Sequence, residues 1–143
     1  MSVFRKYILT ILVLLFAGHS SAQEIGKWNV YPSYWNATQN MVAGNMVYSL
    51  CGNNLLAYDT EDTSVRTFNC LEHLNGVHIA CMNYNKQTHT LVLVYTDGGI
   101  DLLNDDGSIH YLPDLKEKAI ANKDVNSVHT EGHMAYLCTG FGY

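Results

Sequence analysis

The sequence predicts an all-β repeat fold, and three observations carry that prediction. An apolar run of strand-like composition ends at a glycine three times, at Val47–Gly52, Leu93–Gly98 and Ala135–Gly140. Those glycines stand 46 and then 42 residues apart. Between them short strand-like runs alternate with turn signals, and no window shows a convincing helical apolar period. A period of roughly 40–50 residues holding about four short strands is the signature of propeller blades. The expected architecture is therefore an incomplete β-propeller of about two and a half four-stranded blades. Residues 37–69 form the first, 78–112 the second and 125–143 part of the third.

The elements follow in order. An aromatic lead-in, Trp28 to Trp35, contains Pro32, which interrupts any continuous ladder. Thr38–Val42 reads as the first strand, and Gly44-Asn45 is a turn pair that tolerates positive φ. Met46–Leu50, Leu55–Tyr58 and Val65–Phe68 complete the first unit, with a polar turn over Asp59 to Thr63. The second unit opens with Ile79–Tyr84 and the turn Asn85-Lys86-Gln87-Thr88. Thr90–Tyr95 has the unbroken apolar character of a strand buried on both faces. Asp97-Gly98-Gly99 turns the chain into Ile100–Leu103, and Asn104-Asp105-Asp106-Gly107 is a hairpin signal before Ser108–Tyr111. A polar connection follows, in which Leu115–Ala121 could make one or two helical turns. Asn126–Thr130 and Met134–Cys138 are the strands of the third unit.

The first 22 residues read as a secretory signal peptide. Arg5 and Lys6 precede an 11-residue apolar stretch, Tyr7 to Ala17, and small residues lead to a cleavage point between Ala22 and Gln23. A bilayer-spanning helix needs about 20 apolar residues, so this stretch is too short to cross. Without Arg5 and Lys6, six basic and thirteen acidic residues remain, a formal net charge of −7 over 121 residues. That balance opposes nucleic-acid binding, which relies on Lys and Arg neutralising phosphates. Export permits disulfides, and Cys51, Cys70, Cys81 and Cys138 allow three connectivities that sequence does not separate. Cys51 and Cys138 fall about one residue apart in the repeat register and so two blades apart in space, which argues against pairing them. The plainer expectation is four small buried strand residues.

Residue types that carry chemistry are present without the patterns chemistry requires. His129 and His133 have the i, i+4 spacing of a helical zinc motif, but they flank a turn at Glu131-Gly132. His73, His78, His89 and His110 are expected in exposed loops, and no Cys-x-x-Cys completes a structural zinc site. Asn104–Gly107 and Asp97–Gly99 read as tight turns, since calcium loops need alternate oxygen ligands and a distant bidentate Glu. No Gly-x-Ser-x-Gly elbow or catalytic cysteine context occurs. Asn36-Ala37-Thr38 matches a glycosylation triplet by coincidence. Trp28, Tyr31, Tyr34 and Trp35 could form a ligand platform, and are expected instead to pack the edge of the first blade. No catalytic, cofactor or metal residue is assigned, and no cofactor is expected.

Several segments together resemble a known family. They are Ile25-Gly26-Lys27-Trp28, Gly44–Tyr48, Leu55–Asp59, Asn83-Tyr84-Asn85, Leu91–Tyr95, Gly99–Leu103 and Gly132–Gly142. The most specific is Ala-Tyr-Leu-x-Thr-Gly-Phe-Gly at 135–142. The series resembles the N-terminal β-propeller of PorZ-type proteins of the Bacteroidetes type IX secretion system, and more loosely the two-component-regulator propellers. The resemblance implies a piece of a large protein with two propellers and a C-terminal β-domain, without catalytic residues of its own. It further implies an exported scaffold at the outer-membrane surface whose partners are other secretion subunits and a lipopolysaccharide or glycan. One departure is Asn75-Gly76-Val77-His78-Ile79, shorter than the family's usual corner. The competing reading is a periplasmic, oligosaccharide-sensing propeller of a hybrid two-component regulator, and a carbohydrate-active enzyme fragment ranks third. An incomplete propeller exposes a blade face and an open strand edge, so the exported chain alone is expected to associate or precipitate.

Overall fold

The structure is a computed structural model, and it describes residues 31, 33–120 and 122–141. The signal peptide, its cleavage point and Trp28 lie outside the described residues. Ten strands form three antiparallel sheets in plain meander order. The first sheet is β1 (Ala37–Ala43), β2 (Met46–Cys51), β3 (Asn54–Asp59) and β4 (Val65–Phe68). The second is β5 (Ile79–Asn85), β6 (Thr90–Tyr95), β7 (Ile100–Asn104) and β8 (Ile109–Leu112). The third holds β9 (Val125–Glu131) and β10 (Met134–Thr139). One short helix, α1 (Asp114–Glu117), sits in the polar connection, a single turn that begins one residue before the expected start.

The strands repeat in register, and the repeat is tighter than the glycines suggested. Cys51, Tyr95 and Thr139 end the second strands at equivalent ladder positions, 44 residues apart each time. Opposite each, the first strand carries a one-residue irregularity, at Thr38, Ala80 and Asn126. Such a bulge bends the strand and increases its twist, so each sheet curls at the same place. Gly52 and Gly140 directly follow the register residue, whereas Gly98 comes three residues after Tyr95. The unequal glycine spacing comes from that longer turn, not from a different sheet.

The core lies between the sheets. Tyr48, Leu50, Leu55, Ala57 and Phe68 of the first sheet pack with Met82, Tyr84, Leu91, Leu93, Tyr95 and Leu103 of the second. The other side of the second sheet, through Cys81, Val92 and Val94, packs with Val125 and Val128 of the third. β6 is buried along its whole length because both its faces are covered. Side-chain amides join the inner strands. The Gln39 Nε2 donates to Met82 O at 2.9 Å, and Met82 N donates back to Gln39 Oε1 at 3.2 Å. One sheet further on, Asn83 Nδ2 donates to Val128 O at 2.9 Å, and Thr130 Oγ1 donates to Tyr84 O at 3.0 Å. Met82 and Val128 are equivalent in the repeat, so both amides reach the same backbone position of the next sheet.

Three expectations change. Tyr31 and Trp35 do not pack the first sheet; they are 87% and 88% exposed, and of this group only Tyr34 is partly buried. Cys51 and Cys81 are buried strand residues, but Cys70 lies in the turn after β4, and Cys138 is half-buried. All four thiols are free. The shortened corner is closely packed: Asn75 N and Nδ2 each donate to the Asp101 carboxylate at 2.9 Å, and the Tyr95 hydroxyl donates to the same group. Asp101 is completely buried, and these three donors offset the desolvation of its charge.

Candidate functional site between the first two sheets

The turns that close β1–β2, β3–β4, β5–β6 and β7–β8 gather at one end of the first two sheets and enclose a cleft of about 620 Å3. Its wall from the first sheet is Ala43 to Met46, Asp59 and Arg66, and from the second Tyr84, Lys86, His89 and Asp105. Local rules shape both walls. Thr60 N and Oγ1 donate to Asn45 O at 2.8 and 2.9 Å, which ties two turns of the first sheet together. In the second sheet the Asn85 side chain accepts from Gln87 N and Thr88 N, an Asx turn. That turn leaves His89 at φ 53°, a conformation that costs a non-glycine residue some strain and aims its ring at the cleft wall.

Three side chains converge there. The Tyr84 hydroxyl donates to the two carboxylate oxygens of Asp105 at 3.2 and 3.3 Å and lies 3.4 Å from His89 Nδ1. His89 Nδ1 is 3.2 Å from Asp105 Oδ2. Burial, followed by the charge and hydrogen bond of Asp105, pushes the Tyr84 hydroxyl up to about 12, so it stays a donor at neutral pH. Burial also raises Tyr48 behind it, helped by Asp105 and opposed by Arg66. Among the described residues neither Arg66 nor Lys86 has a carboxylate within ion-pair distance. The cleft thus offers two unpaired cations, a carboxylate, an imidazole and neutral donors. That set suits binding a polyhydroxylated or anionic group. No serine, threonine or cysteine lines it to serve as a nucleophile.

The other singled-out residues stay apart. Asn104–Gly107 is the tight turn the sequence implied, with Gly107 N donating to Asn104 O at 2.9 Å and Gly107 at φ 89°. Asp97–Gly99 is likewise a turn, its carboxylate accepting from Gly99 N and pairing with Lys116 Nζ at 2.7 Å. His129 lies in β9 opposite Tyr136 and His133 in the following turn, as the hairpin reading placed them. His78 Nδ1 lies 3.1 Å from Asn53 Oδ1, and His73 stacks edge-on with Phe68. Among the described residues no group of three His, Cys, Asp or Glu could hold a metal ion, and no helix is long and apolar enough to cross a membrane. Sequence reasoning missed Tyr84, His89 and Asp105 as a group. They come from a strand and two separate turns, so no spacing signal links them.

Comparison with known proteins agrees with this architecture. Residues 47–143 match the family described as the type IX secretion system PorZ N-terminal beta-propeller domain. Among solved structures, PorZ of Porphyromonas gingivalis, described as an essential bacterial surface component of the type IX secretion system, superposes with a TM-score of 0.74 at 25% identity. The match covers 80% of this chain but 16% of that one. No curated protein matches. With ten strands in antiparallel meander sheets and a family match over more than half its length, the chain belongs to the PorZ N-terminal β-propeller family.

Proposed function

We propose that this chain is a non-enzymatic, exported scaffold module of a type IX secretion system, working at the outer-membrane surface through other subunits of that system. The observation that carries the reading is the family match over residues 47–143, supported by the structural likeness to a surface component of such a system. The lack of a nucleophile in the cleft and the acidic charge of the exported part favour a binding role over catalysis or nucleic-acid contact. The cleft around Arg66, Lys86 and Tyr84 is the candidate seat of a second ligand, a lipopolysaccharide or glycan bearing acidic groups.

Cross-linking in the producing cell, followed by purification of the tagged chain, tests the reading. Type IX subunits are expected in the cross-linked material, and protease added to intact cells is expected to degrade the chain. Recovery without any such subunit, or protection until the outer membrane is opened, would overturn it. For the ligand, Arg66→Ala and Lys86→Ala are each expected to weaken retention on immobilised lipopolysaccharide. Equal retention of both variants and wild type removes the cleft from the proposal.

A further inference from the structure

The two interfaces between the sheets are copies of each other, and the molecule presents both halves of a third. Each interface is formed by the side of one sheet that carries Tyr48 and Leu50, or their equivalents Val92 and Val94. In the third sheet the equivalent residues are Tyr136 and Cys138, 44 residues further on, and Tyr136 is 45% exposed. The opposing half of each interface includes Tyr84 of the second sheet, or Thr130 of the third. Its equivalent in the first sheet is Val42, which is 64% exposed. The polar clamps repeat in the same way. Gln39 and Asn83 hold the backbone of Met82 and Val128. Their positions in the third sheet are Ser127 and His129, both exposed. Their target in the first sheet is the backbone of Asn40, on the free edge of β1.

We infer that a second copy of this chain docks head to tail, the first sheet of one copy against the open face of the third sheet of another. The argument rests on continuity with the interfaces already formed and is independent of the secretion reading. One face is built to the pattern of residues that cover Tyr48, the other to the pattern of Tyr48 itself. A contact between different patches leaves one of each free on the dimer, so the association either closes into a ring or continues as a filament. A self-matching contact of one face with its own copy would stop at two.

Two charge substitutions on exposed positions test this without entering the core of the lone chain. Val42→Asp blocks the first face and Tyr136→Asp the other, and circular dichroism confirms that each retains its strand content. By sedimentation equilibrium the exported wild-type chain is expected to gain mass with concentration, and each variant alone to remain at the mass of one chain. A 1:1 mixture of the variants retains one free face of each kind, and is expected to sediment at twice the chain mass and no more. A wild-type chain that stays monomeric, variants that associate as wild type does, or a mixture that stays at one chain mass would each overturn the inference.

Discussion

Gly76 lies against the flat of the Tyr95 ring, so closely that a Cβ at position 76 would overlap Cγ and Cδ1 and come within 2.6 Å of Cδ2. The ring cannot swing aside, because its hydroxyl is held by Asp101 and the same carboxylate holds Asn75 beside the glycine. The corner between the first and second sheets is thereby fixed to the middle of the second. Gly76→Ala is expected to destabilise the chain by about 1–3 kcal/mol, the usual cost of overpacking. Denaturant unfolding measures it. In a Tyr95→Leu background the same substitution is expected to cost less, since residues in contact are not additive.

Removing the Asp101 carboxylate leaves three buried donors without a partner. Asp101→Leu is therefore expected to destabilise by several kcal/mol, at about 1–3 kcal/mol for each unsatisfied group. Asp101→Asn keeps an acceptor and is expected to cost less than Asp101→Leu. Equal midpoints for the two variants would contradict the hydrogen-bonded role.

Stability is expected to fall at alkaline pH. Burial, then the hydrogen bond and charge of Asp101, raises Tyr95 far above its ordinary value of 10.0; Tyr84 and Tyr48 are raised as well. A tyrosine raised in the folded chain binds more protons there than in the unfolded chain between the two pKa values. Its contribution is thus fully present below pH 10.0 and lost as pH rises toward the folded value. Thermal midpoints measured from pH 8 upward should be level to about pH 10 and then decline. Tyr95→Phe should make that decline shallower, although it lowers stability at neutral pH.

The Gln39 amide makes two bonds to the edge backbone of Met82, one in each direction. Gln39→Ala leaves both groups without that partner and is expected to cost about 1–3 kcal/mol. Amide exchange at Met82 should accelerate more than at Leu93, its β6 neighbour in the ladder. Uniform acceleration along β5 and β6 would instead indicate general loosening.

In the cleft, Asp105→Asn removes the charge that contributes to the raised Tyr84 hydroxyl. The Tyr84 midpoint, followed by tyrosinate absorbance, is expected to move down from about 12 but to stay above the ordinary value, because burial is the larger cause. An unchanged midpoint would separate Asp105 from Tyr84.

The sequence by itself determined the fold class and the place of every strand, because strand periodicity and turn chemistry are local. Thr90–Tyr95 reads as a strand covered on both sides because every position is apolar, and it is. Gly44, Gly52, Gly107 and Gly132 mark turns where φ must be positive, and they sit there. Tertiary structure alone decided the rest. The 44-residue register appears in the ladders and not in the glycines, because turn length varies while cross-strand pairing does not. Tyr84, His89 and Asp105 meet because two turns and a strand end converge, and the bulged first strands bend alike without any shared residue type at Thr38, Ala80 and Asn126. The corner at Gly76 reads as a short loop in the sequence. Only the packing of Tyr95 upon it, and the buried carboxylate beneath, made it a fixed joint.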